Sequence, residues 1–213
     1  MDRNAGDFDE WLAGMRAVLR GEAVADVPCA GCVGCCVSSY PIPLRPADRV
    51  ALEQVPDRYL QFRPGDAARM LHRDDGTCPM LAAGRCSIYA DRPQTCRDYD
   101  CRIYAAAGLV PDGERPVISG RVREWRFAIT DQAAGARLAA VRRAAQFIRS
   151  NAPLFPAEIR AHSATAAAVL AVKVHELFAD KGAAGPVVEI VQAILDAARE
   201  FDRPGLPGCD SAT

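Results

Sequence analysis

The stretch from Cys29 to Cys101 constrains this chain more than any other. It opens with Cys29, Cys32, Cys35 and Cys36, spaced C-x2-C-x2-C-C, and closes with Cys78, Cys86, Cys96 and Cys101. Eight of the nine cysteines fall in this window; Cys209 sits in the C-terminal tail. Thiolates at this density bind soft metal, pair as disulfides or do redox chemistry. Met1 to Glu10 is polar and acidic and lacks the apolar core of a secretory leader. The longest apolar run, Ala164 to Val174, is shorter than the ~20 residues of a spanning helix. A cytoplasmic location is therefore expected, and in a reducing cytosol such cysteines are more often metal ligands or catalytic thiols than structural disulfides.

With a net charge of −1 and no polybasic run, the chain is not expected to bind nucleic acid or a membrane surface. A protein partner stays open, and so does the oligomeric state. Lys173 and Lys181 are the lysines, so arginine carries nearly all positive charge, a bias read as that of a GC-rich genome. Absent motifs narrow the classes further. There is no Gly-rich dinucleotide loop, Walker A loop, H-E-x-x-H or G-x-S-x-G, and no radical-SAM C-x3-C-x2-C in the first cysteine segment. Whether the chain is an enzyme is left open, because no substrate site can be read.

A C-x2-C unit turns two sulfurs toward one ion, and two such units complete a tetrahedral site. Eight cysteines can fill two four-thiolate sites, either with zinc or with iron–sulfur clusters. Cys29, Cys32 and Cys35 reproduce the first three ligands of the bacterial ferredoxin run, whose fourth ligand precedes a proline, and Cys78 precedes Pro79. A cluster on Cys29, Cys32, Cys35 and Cys78 is one specific expectation. Cys36, pointing away from its neighbour Cys35, is a second-site ligand or a reactive thiol. Gly31 and Gly34 allow the tight turns that knuckles need. Arg85, Arg97 and Arg102 adjoin cysteines and either favour their thiolates or are simply solvated. Asp98 and Asp100 are read as turn residues before ligands. His72 is the histidine nearest the cysteines; His162 and His175 fall on expected helices.

Around this window the periodicity predicts helices over Phe8–Arg20, Arg45–Gln54, Asp131–Arg149, Pro156–Phe178 and Pro186–Phe201. Asp7 is the expected N-cap of the first and Gly21 its stop. Tyr40–Leu44 is extended because of Pro41 and Pro43. Cys78–Leu81 and Cys86–Tyr89 form a hairpin around Gly84. Val117–Ile129 reads as a strand, and residues 57–75 as mixed and loop-rich.

These residues resemble a known family. Cys29-x2-Cys32-x2-Cys35-Cys36, then Cys78-Pro-Met-Leu, then Gly84-Arg85-Cys86-Ser87-Ile88-Tyr89-x2-Arg92-Pro93-x2-Cys96-Arg97 look like the YkgJ-type cysteine-cluster family, also called CxxCxxCC. The resemblance covers residues 28–102. It implies metal ligation by Cys29, Cys32, Cys35, Cys36, Cys78, Cys86, Cys96 and Cys101. The family is predicted to chelate zinc or iron, some relatives are labelled ferredoxin-like or iron–sulfur oxidoreductases, and flagellin lysine N-methylases carry a similar region associated with an iron–sulfur cluster. Methylase activity is not implied, since residues 103–213 carry no resemblance.

The resulting expectation is an α+β protein. Residues 1–27 hold an N-terminal helix. Residues 28–105 form a small metal-nucleated cysteine-cluster domain with irregular loops and short strands, packed on the C-terminal helices of residues 106–201. Residues 202–213 are a disordered tail. The expected cofactor is an iron–sulfur cluster, 4Fe-4S first and Zn2+ as the alternative, serving electron transfer, a cluster-dependent reaction or, with zinc, a binding module.

Overall fold

A computed structural model describes residues 2–25, 27, 32–64, 66–113, 115–179 and 184–203. Cys29, Gly31, Cys209 and most of the expected tail lie outside the described residues. In chain order the elements are β1 (Arg3–Asp7), α1 (Phe8–Arg20), β2 (Ile42–Leu44), α2 (Arg49–Gln54), β3 (Leu60–Arg63), β4 (Asp66–Met70), β5 (Leu81–Ala82), β6 (Arg85–Cys86), α3 (Gln94–Asp98), α4 (Arg102–Ala107), α5 (Pro116–Glu124), β7 (Trp125–Ala128), α6 (Gln132–Ser150), α7 (Ala164–Val174) and α8 (Val187–Phe201). The class is α+β: helices with short antiparallel strands and irregular loops. The chain divides into two compact units, and in the paired strands β1 and β7 the division falls inside the strand.

The first unit comprises Met1–Ala5, Val24–Ala105 and Val110–Arg126. Its centre is a three-stranded antiparallel sheet, β2-β4-β3, with Ile42 opposite Met70 and Leu44 opposite Ala68. Proline at position 43 is tolerated because β2 is an edge strand. The free Pro43 carbonyl instead accepts the Thr95 hydroxyl at 2.8 Å, which ties α3 to the sheet. One face of the sheet buries Ile42, Leu44, Ala68 and Met70 against Ala51 and Val55 of the α2 region and against Met80, Ile88 and Cys78. A cysteine thus belongs to the apolar core itself.

Within residues 57–75, read as mixed and loop-rich, residues 60–70 form the β3–β4 hairpin, irregular in register between Gln61 and Arg63. The second hairpin pairs Leu81 with Cys86 across Ala83 and Gly84. Both turn residues have positive φ, 48° and 72°, the geometry of the tight turn that matches strand twist. Val117–Ile129 is not one strand. Pro116 occupies the first turn of α5, and Ile118 and Val122, four apart, supply its buried side; extended backbone begins only at Trp125.

The second unit comprises Gly6–Ala23, Ala106–Leu109 and Phe127–Thr213 and is built on α1, α6, α7 and α8. Asp7 caps α1, accepting from the amides of Asp9 and Glu10 at 2.9 and 3.0 Å, and Gly21 ends it in the left-handed conformation. Ala140, Ala144 and Ala145 of α6 and Ala167, Ala168 and Ala171 of α7 are buried, so these helices meet through small side chains. The helix expected over Pro156–Phe178 starts late. Arg160 turns left-handed, and Ser163 restarts the chain by accepting from the Ala166 amide at 3.3 Å. Arg16 donates to the carbonyls of Val172 and Lys173, each at 3.2 Å, and so supplies partners that the end of α7 lacks. His175 is buried in this unit, where desolvation holds its imidazole below the usual range.

Candidate metal centre

The first unit contains a cavity of ≈ 330 Å³ lined by Cys32, Cys35, Cys36, Cys78, Cys86, Cys96 and Cys101, which are all the described cysteines. Three separate pieces of chain bring them there. The first is a short 3-10 turn, Cys35–Val37, fixed by the Ser38 hydroxyl donating to the Gly34 carbonyl at 2.5 Å. Gly34 is right-handed helical, so glycine serves there for space, not for positive φ: a Cβ would lie a tight 3.2 Å from Ile118 and 3.5 Å from the Cys32 sulfur.

The second piece is the loop 73–81 with the hairpin that follows. Arg73 gathers this loop from inside, donating to the carbonyls of Pro79 at 2.7 Å and Leu81 at 3.0 Å. Two bonds fasten it to the first piece. The Cys78 amide donates to the Cys36 carbonyl at 2.7 Å, and the Ser39 hydroxyl donates to the Gly76 carbonyl at 2.9 Å. Cys78 therefore sits directly against Cys36. The Cys86 strand is held next to it by the Ser87 amide on the Met80 carbonyl, 2.8 Å.

The third piece carries Cys96 on α3 and Cys101 just before α4. Asp48 accepts the Gln94 amide at 2.7 Å and orients the start of α3. Asp100 and Arg102, both buried, form an ion pair at 2.8 Å around Cys101, and Arg102 also donates to the Ala5 carbonyl at 3.0 Å. Asp98 accepts from Gln94 and Arg45. Both aspartates are thus committed to structural partners. Trp125 donates its indole N–H to the Cys101 sulfur at 3.2 Å.

The electrostatics of the wall follow from these placements. A hydrogen bond from the Cys36 thiol, the amides of Met80 and Leu81, and the Arg73 guanidinium together bring the Cys78 thiol down to about 7, against an ordinary ~8.5. Cys36 moves the opposite way, because it is the proton donor to Cys78 and is half-buried. Burial first, then the nearby Cys78 and Cys86, push Cys96 up to about 12. Burial likewise raises Cys86. Arg85, Arg92, Arg97 and Arg121 line the cavity; among the described residues no Asp or Glu does.

Of the cations adjacent to cysteines in sequence, Arg102 is neutralised by Asp100, and Arg97 is spent on the carbonyls of Arg92 and Ala90. The cations that act on the sulfurs are Arg73, on Cys78, and Arg92, on Cys86 and Cys96. His72 does not line the cavity. Among the described residues no three His, Cys, Asp or Glu side chains converge on a single-ion position; the sulfurs are distributed over the cavity wall. The donor set is nonetheless one of soft thiols with amide, indole and guanidinium groups beside them, which suits a thiolate-bound metal and the negative charge it carries. Sequence reading missed Arg73, Asp48 and Trp125, since none is adjacent to a cysteine and only the fold delivers them.

No described helix is long and apolar enough to cross a membrane. Residues 28–113 match the family model CxxCxxCC, described as "Putative zinc- or iron-chelating domain". No curated protein and no solved structure matches the chain. Residues 28–113, which hold the three pieces of chain around the cavity, are thus similar to the CxxCxxCC cysteine-cluster domains, a match that spans less than half of the chain.

Proposed function

We propose that the first unit holds an iron–sulfur cluster, of the four-iron type first, for electron transfer or a cluster-dependent reaction. The observation that carries this reading is the sulfur-lined cavity. A tetrahedral zinc closed by sulfurs ≈ 2.3 Å away leaves no void, whereas ≈ 330 Å³ is room for roughly ten waters and suits an inorganic group with bulk of its own. Such a cluster, when bound, supplies a one-electron couple set by its ligands and surroundings.

The chain's own residues do the rest. The cysteines supply thiolates. Ile42, Met70, Met80, Ile88 and Ile118 make much of the cavity wall apolar. The arginine lining offsets thiolate charge, and the amides of Met80 and Leu81 and the Trp125 indole donate to sulfur, which favours the more negative, reduced state. We place the protein in the cytoplasm with a protein as its electron partner.

A zinc-stabilised binding module is the second reading, favoured by the thiol-to-thiolate contact of Cys36 and Cys78, which resembles one edge of a closed tetrahedral site. Anaerobic purification separates the two. Brown protein with iron and acid-labile sulfide supports the cluster; colourless protein with stoichiometric zinc replaces it with the module.

A further inference from the structure

The seven described sulfurs do not share one environment. Cys78 lies in the apolar cluster of Ile42, Met70, Met80 and Ile88, with its sulfur 3.8 Å from that of Met70. Cys36, Cys86 and Cys96 are packed against that same cluster. Backbone geometry draws this group together: the Cys78 amide donates to the Cys36 carbonyl at 2.7 Å, Cys86 sits opposite Leu81 in the hairpin, and Thr95, next to Cys96, is bonded to β2.

The other sulfurs face a different wall. Cys32 lies beside Gly34 at the contact with Ile118 of α5. Cys101 receives the indole of Trp125, at the end of the same helix. Cys35 lies within electrostatic reach of Tyr99, two residues before Cys101, whose hydroxyl donates to Tyr40 at 3.1 Å. Neither Ile118, Trp125 nor Tyr99 belongs to the cluster around Cys78.

We infer that Cys36, Cys78, Cys86 and Cys96 form one four-thiolate site, and that Cys32, Cys35 and Cys101 ligate apart from it. This rests on the iron–sulfur reading above: among the described residues no three of these sulfurs converge on a single-ion position, so the group they share must have bulk of its own. It departs from the ferredoxin-like grouping of Cys78 with Cys32 and Cys35, and it makes Cys36 a ligand in place of a spare thiol. The adjacent pair Cys35–Cys36 becomes the divide: one sulfur serves each side.

Metal content of the full-length protein, with circular dichroism to confirm folding, tests the division. Cys86→Ser and Cys96→Ser should each lose the same portion of the bound metal, and the double variant no more than either single one. Cys101→Ser should lose the complementary portion, and Cys86→Ser with Cys101→Ser essentially all of it. A second measurement does not depend on variants that fold. Under stepwise chelation of the wild-type protein, alkylation followed by mass spectrometry should find Cys36, Cys78, Cys86 and Cys96 becoming reactive in one step. Cys78 becoming reactive together with Cys32 and Cys35, or Cys96→Ser and Cys101→Ser each removing all the metal from folded protein, overturns the division alone. Wild-type protein that takes up no iron and acid-labile sulfide overturns the cluster reading and the division with it.

Discussion

The amide of Cys78 donates to the carbonyl of Cys36 at 2.7 Å, joining two cysteine segments that are more than 40 residues apart in sequence. A second bond close by, from Ser39 to the Gly76 carbonyl, makes this joint two-pronged. The site therefore depends on a short backbone seam as well as on its cysteines, and the seam can be tested without altering a sulfur.

Gly76 has φ +78°, and a Cβ there would sit 2.6 Å from the Ser39 hydroxyl oxygen. Gly76→Ala must strain the backbone and turn Ser39 off its acceptor, for a cost of about 2 kcal/mol. Gly84 has a similar φ of +72° with nothing near its Cβ position. Gly84→Ala should cost only the backbone term, about 1 kcal/mol. Thermal denaturation of the two variants ranks them, and metal affinity should fall further in Gly76→Ala. Equal stability of the two would remove the seam from the account.

How much was legible in the sequence depends on how local the signal is. The helix Phe8–Arg20 was readable to the residue, because its cap Asp7, its stop Gly21 and its apolar stripe all lie within the element. The Gly84 turn was readable for the same reason, and the two dense cysteine segments marked the sulfurs that line the cavity. The β3–β4 hairpin was harder to read: Leu60-Gln61-Phe62-Arg63 and Ala68-Arg69-Met70 do alternate, but the runs are short, Ala67 adds no contrast and Phe62 is exposed. At residues 117–129, β-branched side chains suggested a strand while Pro116 and the four-residue spacing of Ile118 and Val122 built a helix. Arg73 and Trp125 act on Cys78 and Cys101 from 5 and 24 positions away, and no residue pattern announces either contact.

Trp125→Phe keeps an aromatic ring in place of the indole and deletes the donor to the Cys101 sulfur. A hydrogen bond to a ligand sulfur stabilises the state with more negative charge, so its loss should lower the reduction potential of a bound cluster. Stability should fall by about 1 kcal/mol, the net value of one such bond. Spectroelectrochemical titration of the reconstituted variant reads the potential. A potential equal to that of the wild type, with the metal fully bound, would leave Trp125 with a packing role only.

The pH dependence of the metal-free protein has two limbs. Cys78, held at about 7, is ionised in the folded state before it ionises in the unfolded chain near ~8.5. Its contribution is therefore present above ~8.5 and is lost as pH falls through 7. Cys96, pushed up to about 12, has the opposite sign: its contribution is complete below ~8.5 and is lost as pH rises toward 12. Denaturant midpoints of the metal-free form should decline on the alkaline side as unfolded thiols ionise and Cys96 does not. Metal binding must release the protons of Cys36, Cys86 and Cys96, so apparent affinity should climb with pH across the neutral range. Calorimetry in buffers of different ionisation enthalpy counts those protons. Binding that proceeds with no proton release would mean that these three thiols are not ligands.

In the second unit, Asp131 caps α6 by accepting the Ala134 amide at 2.7 Å. Asp131→Ala should cost about 1 kcal/mol through loss of that cap. Because the residue belongs to the helical unit, metal content at room temperature should stay at the wild-type value. Denaturation together with metal analysis checks both halves. A variant that is depleted of metal while still folded would show that the two units depend on each other more closely than their separate cores imply.

Chelation distinguishes the units most directly. The helical unit buries Phe8, Trp11, Val141, Ile148, Leu170 and Ile194 with whole helix faces, and its stability comes from that packing. The cysteine unit has short strands and a small apolar cluster of which Cys78 is itself a member. Ordering its loops costs about 1–2 kcal/mol per residue, and metal–thiolate bonds, once formed, would be the strongest available offset. Removing metal, or introducing Cys32→Ser or Cys86→Ser, should therefore open residues 28–102 to protease while the helices of residues 132–201 stay resistant. Limited proteolysis with mass spectrometry locates the cuts. If the metal-free chain resists cleavage throughout residues 28–102, its sheet and hairpins suffice to fold the unit, and the cysteines serve the bound group without supporting the fold.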